Sequence, residues 1–187
     1  MKFNFRLLQK QSYVTDPAFP AFLIYRNGQF DTTAAKLTFN VFDVFRDRQI
    51  TKNNTTDSPT DGSVWVIKGR NLSLDGQTIE HIVGYDRFIS ASTLQEFSVH
   101  KFLNRADVYL TPNMTYYPRV FKNIPDVVPD GSVAVLIPKI SLVLSREQLD
   151  FFSSEEYRQF YTIARNLSTQ SINVDSSSVF FYGVLNV

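Results

Sequence analysis

Four of the seven glycines in this 187-residue chain stand directly behind an Asn or Asp: Asn27-Gly28, Asp61-Gly62, Asp75-Gly76 and Asp130-Gly131. Those residue types tolerate the positive φ angles of a tight hairpin turn, so the chain is punctuated for antiparallel strands. Two of the turns open nearly the same segment. Asp61-Gly62-Ser63-Val64-Trp65-Val66-Ile67 is echoed by Asp130-Gly131-Ser132-Val133-Ala134-Val135-Leu136-Ile137.

Between the turns, period-two alternation predicts strands. Phe3, Phe5 and Leu7 alternate with Lys2, Asn4 and Arg6, which describes a strand with one wet face and not the apolar stretch of a secretion signal. Residues 36–46 alternate as far as Val41 and lose phase at Phe42, which requires a bulge or cover on both faces. Further strands are expected over 63–68, 72–74, 78–83, 105–111, 132–137, 139–144 and 179–185. Segments 63–67, 133–137 and 179–185 are apolar on both faces, so something must cover them twice. Residues 51–62 contain almost nothing apolar and read as a long exposed loop.

Two helices interrupt the pattern. Ser92-Thr93-Leu94-Gln95 offers a capping box for a short helix through Asn104. Over 154–167, Tyr157, Phe160, Tyr161, Ile163, Ala164 and Leu167 share a face opposite Arg158, Thr162 and Arg165, the signature of an amphipathic helix laid on a sheet. Ser145 to Phe152 reads as a separate helical piece. The fold expected from this is one mainly β domain spanning 1–187, an antiparallel β-sandwich of jelly-roll type with two short helices. The alternative is an α+β domain with a helix packed on an antiparallel sheet.

Chemistry is harder to find. The chain has no cysteine, which excludes disulfides, thiolate metal sites and thiol nucleophiles. Its two histidines lie outside any metal or catalytic motif: His81 follows Glu80, and His100 stands four residues after Glu96. No nucleophile elbow, Walker loop or dinucleotide fingerprint is present. Asp57 with Asp61, or Asp126 with Asp130, suits a loop calcium site, but turn formation explains the same residues. The formal charge of +1 comes without a basic face, so no direct nucleic-acid contact is expected. No window is long and apolar enough to span a membrane.

One loop has binding character: Thr111-Pro112-Asn113-Met114-Thr115-Tyr116-Tyr117-Pro118-Arg119. Paired tyrosines between prolines form a platform for a sugar ring or a partner chain. The aromatic content, 17 Phe, 9 Tyr and 1 Trp, either builds a bulky core or extends into contacts between subunits. Together these features predict a non-enzymatic structural subunit of a larger assembly, a viral or phage particle component (capsid or tail), without cofactors. Its partners would be copies of itself and other assembly subunits, and its location the virion, assembled in the host cytoplasm. The candidate interface residues are Phe181, Tyr182, Val184 and Leu185 near the C-terminus, with Tyr116 and Tyr117. The alternative function is a carbohydrate- or ligand-binding β-sandwich module.

Overall fold

The computed structural model describes residues 27–165 and 173–186, and the backbone of 13–15 and 23–25. The strand expected over residues 2–8 and the end of the helix expected through Leu167 lie outside the described residues. The fold is mixed α/β, with about 25% strand and 29% helix in several sheets. It is less purely β than the sequence suggests, and it leans towards the α+β alternative.

A central sheet carries the architecture. Its four strands are β4 (Phe42–Arg46), β7 (Tyr109–Pro112), β8 (Phe121–Lys122) and β10 (Val133–Pro138), in the order β4-β10-β7-β8, all antiparallel. A second sheet is formed by β5 (Ser63–Ile67), β6 (Arg87–Ser90) and β9 (Val127–Pro129), in the order β6-β5-β9. Here β5 runs antiparallel to β6 and parallel to β9, with Trp65 opposite Phe88 on one side and Val127 on the other. That parallel pairing, together with two further two-stranded pairs, departs from the jelly roll. These pairs are β1 (Tyr13–Thr15) with β2 (Leu23–Tyr25), and β3 (Leu37–Thr38) with β11 (Val184–Leu185).

The two echoed segments become β5 and β10, an interior strand of each sheet. On β10 the side chains divide by parity: Val133 and Val135 join a core shared with the second sheet, while Ala134 and Leu136 join a core on the opposite face. Adjacent residues of a strand point to opposite faces, so the double apolarity of 133–137 is satisfied within the chain. The first core is mostly aliphatic and lies between the sheets, with Val66, Leu110, Val108 and Val128 among its members, and also takes in Leu94, Val99 and Phe102. The second lies between the central sheet and four helices. These are α1 (Gly28–Ala34), α3 (Arg146–Phe152), α4 (Glu155–Ala164) and a 3-10 turn (Ser178–Phe181), the last leading into β11.

Helix ends explain several departures from expectation. Asn27-Gly28 is not a hairpin turn, because the Asn27 side chain accepts a hydrogen bond from the Phe30 N–H and caps α1. The hairpin reading holds at Gly76, which has positive φ and lies inside the antiparallel Leu72–Ile79 bridge. Gly62 also has positive φ, but it precedes β5, which pairs with β6 and β9 and not with the chain before it. Ser145 and Ser154 cap α3 and α4, as their sequences suggest. The helix expected over 92–104 divides into α2 (Ala91–Gln95), capped by Ser90, and a 3-10 turn (Ser98–Phe102). The phase break before Phe42 is a left-handed residue, Asn40 at φ +60, which separates β3 from β4. Segments 72–74 and 78–83 make only one isolated bridge, Leu72 with Ile79. Residues 139–144 are not a strand, and Ile140 and Val143 lie exposed there. Within the segment expected as a strand over 105–111, Ala106 is exposed, whereas Val108 and Leu110 are buried.

Candidate functional site

The tyrosine loop begins where β7 ends and is fixed from both sides. Asn113 makes four hydrogen bonds. Its N–H donates to the Ser132 carbonyl (2.9 Å), its Nδ2 to the Gly131 carbonyl (3.0 Å), and its Oδ1 accepts from Arg46 (3.2 Å). Its own carbonyl takes the Val174 N–H at 2.9 Å. Two residues on, the Thr115 hydroxyl donates to the Tyr117 carbonyl and accepts from the Tyr117 N–H, both at 2.9 Å. This small side-chain turn substitutes for regular structure.

Beneath the loop lies Arg119, only 5% exposed. Its guanidinium donates to the Tyr117 carbonyl at 2.8 Å and to the Leu72 carbonyl at 3.1 Å. No carboxylate pairs with it among the described residues, and burial pulls its pKa below the usual arginine value. A planar fork suits this position because it reaches several carbonyls at once. Tyr182 and Thr111 anchor the strand end below through a hydroxyl pair at 3.1 Å.

On this scaffold Met114, Tyr116 and Tyr117 stand 56%, 46% and 55% exposed. Arg158 of α4 lies 5.3 Å from the centre of the Tyr117 ring, within cation–π range. Glu155 holds that guanidinium by two hydrogen bonds, of 2.6 and 2.5 Å. The result is a preformed patch of Met, Tyr and Arg, residue types enriched at the centres of protein interfaces. The loop's exposed tyrosines were legible from sequence. The Arg119 clamp was not, since its Leu72 partner lies far away along the chain.

The C-terminal candidates behave differently. Phe181 and Tyr182 are 0% exposed and Val184 is 6% exposed, all inside their own chain; only Leu185 is partly open. The Tyr157 hydroxyl donates to the Phe181 carbonyl at 2.9 Å, and Phe181 packs edge-on against Phe160. The backbone at Gly183 comes so close to Phe39 that a Cβ there would sit 2.9 Å from its ring. Phe181, Tyr182 and Val184 therefore serve folding and offer no surface to a partner in this fold. The aromatic excess is largely a bulky core.

His81 belongs to a surface turn. His81 Nδ1 lies 2.7 Å from Asp86 Oδ2, and its ring stacks on Trp65 with centroids 3.7 Å apart. Asp86 also accepts from Asn71 and from the Ile82 N–H, so the carboxylate organises a surface turn. His100 has no ion pair with Glu96. Asp57 pairs with Arg87, and Asp130 accepts from Ser132. No group of three or more potential ligand side chains gathers among the described residues, nor is any helix there long and apolar enough to cross a membrane. No family model and no curated relative matches the chain.

Proposed function

We propose that this chain is a non-enzymatic subunit of a larger assembly, and that it makes contact through Met114, Tyr116, Tyr117 and Arg158. The setting we propose is a viral or phage particle, as a capsid or tail component, with copies of the chain and other particle subunits as partners. One observation carries the reading: exposed tyrosines sit on a loop whose backbone is already fixed by Asn113, Thr115 and Arg119. Ordering a loop on binding opposes association, and a loop ordered beforehand avoids that loss. The apolar strands no longer support the proposal, because the chain buries them itself.

Sedimentation velocity over a range of concentrations, alone and with candidate particle proteins, tests this. Association that disappears in a Tyr116→Ala/Tyr117→Ala variant supports the assembly reading. A stable monomer without affinity for such proteins removes it. The exposure of both tyrosines also favours the second reading, a carbohydrate-binding module, for which glycan-array binding abolished by Tyr117→Ala is the expected result.

A further inference from the structure

On the second sheet a cleft of about 370 Å³ opens between the polar loop that follows β4 and the turn that precedes β6, and its Asp130 belongs to the turn whose Gly131 and Ser132 carbonyls hold Asn113. Ile50 lines it, with the buried Val66 behind, and Lys68, Tyr85, Arg87 and Asp130 stand around it. The volume lies in the range of small-molecule sites.

Both walls are fixed. Arg87 pins the loop by donating to the Thr55 hydroxyl (3.0 Å), the Thr55 carbonyl (2.7 Å) and the Lys52 carbonyl (3.1 Å), and it pairs with Asp57. Thr56 and Phe88 exchange backbone hydrogen bonds of 2.8 and 2.9 Å. The segment that reads as a long exposed loop is thus a tethered wall. Opposite it, Lys68 Nζ donates to the Tyr85 carbonyl and lies 3.6 Å from the centre of the Tyr85 ring.

Two polar groups in the cleft remain only partly used. Lys68 makes one hydrogen bond through Nζ, leaving two N–H donors, and it forms no ion pair among the described residues. Asp130 accepts from the Ser132 N–H (2.8 Å) and the Ser132 hydroxyl (2.5 Å), both through Oδ1. Its Oδ2 has no hydrogen-bond partner among the described residues. Burial pushes the Asp130 carboxyl up and the Lys68 ammonium down, so both charged forms are short of solvation. Convergent, under-solvated polar groups beside an apolar surface are the usual mark of a ligand site.

We infer that this cleft binds a neutral polyol of monosaccharide size, one hydroxyl donating to Asp130 Oδ2 and a neighbouring hydroxyl accepting from Lys68 Nζ. A hydroxyl is both donor and acceptor, so adjacent hydroxyls satisfy an acceptor and a donor together. A simple anion meets Asp130, and a simple cation meets Lys68. The C–H face of the ring would rest on Ile50. The inference is independent of the tyrosine loop and of the assembly reading.

Saturation-transfer NMR on the whole chain tests it, with D-glucose, D-galactose, D-mannose and D-ribose as probes and sulfate as competitor. Transfer to at least one sugar, undiminished by sulfate, is expected. Asp130→Asn, which keeps the Oδ1 cap on Ser132, and Lys68→Met are each expected to weaken binding about tenfold, with unchanged circular dichroism. Tyr117→Ala is expected to leave it unchanged. No transfer from any of the four sugars overturns the assignment, as does transfer that survives both cleft substitutions or vanishes with Tyr117→Ala.

Discussion

The two faces of the central sheet are packed with different chemistry. On the helix side, nine of 21 buried core residues are aromatic, against three of 16 on the side shared with the second sheet, where valine dominates. Valine side chains are short and stiff, and they suit two pleated surfaces lying face to face. Helices leave a more irregular gap, and large rings fill it through ring-to-ring contacts. Phe30 stacks on Phe160 at 4.9 Å, Phe152 meets Tyr157 at 4.9 Å, and Tyr161 meets Tyr182 at 5.5 Å. Strand apolarity on both faces therefore does not imply a missing subunit: one sheet serves two cores.

The largest expected effect separates these cores. Phe181→Ala should cost about 3–5 kcal/mol and Leu110→Ala about 2–5 kcal/mol, measured by urea unfolding. If the two cores form one cooperative unit, either change lowers the single transition midpoint. Two transitions, each responding to only one substitution, would break the shared-sheet account.

Alkaline pH should weaken the helix-side core. Burial pushes the Tyr182 hydroxyl up to about 12 and holds Tyr157 and Tyr161 well above the usual value. In the unfolded chain tyrosine ionises at about 10. Between those values the native state binds more protons than the unfolded state, so stability falls as pH rises. For Tyr182 the loss is about 3 kcal/mol by the upper end of that window and is absent below the lower end. A Tyr182→Phe variant should show a shallower decline over the same range.

How much of this was readable beforehand depended on whether the signal was local. The echoed Asp-Gly-Ser-Val segments marked β5 and β10, and the amphipathic face over 154–167 marked α4, because turns and periodic faces are set by residues close in sequence. Helix α1 was hidden, since Asn27-Gly28 carries the letters of a turn and of a cap alike, and Thr32 and Thr33 weaken the helical pattern. The parallel pairing of β5 with β9 could not be read at all, for no residue encodes its partner. The same holds for the candidate sites: Tyr116 and Tyr117 stood out, but Arg119 acts on Leu72, and the cleft gathers residues from Ile50 to Asp130.

Two smaller effects sharpen the contrast between core and contact residues. Arg119→Lys keeps the charge but loses the fork, and should destabilise by about 1–3 kcal/mol while weakening any binding through the tyrosine loop. Tyr117→Ala should change stability by no more than about 0.5 kcal/mol, yet abolish association. A Tyr117→Ala variant as unstable as Phe181→Ala would place Tyr117 among the core residues.

The division of tyrosines into core and contact is most directly tested by nitration of the isolated, folded chain with tetranitromethane, mapped by peptide mass spectrometry. Tyr116 and Tyr117 should be modified rapidly, while Tyr157, Tyr161 and Tyr182 stay protected until the chain unfolds. Modification of Tyr182 at a rate comparable to Tyr117 would contradict the account, because the C-terminal segment would then be open to a partner after all.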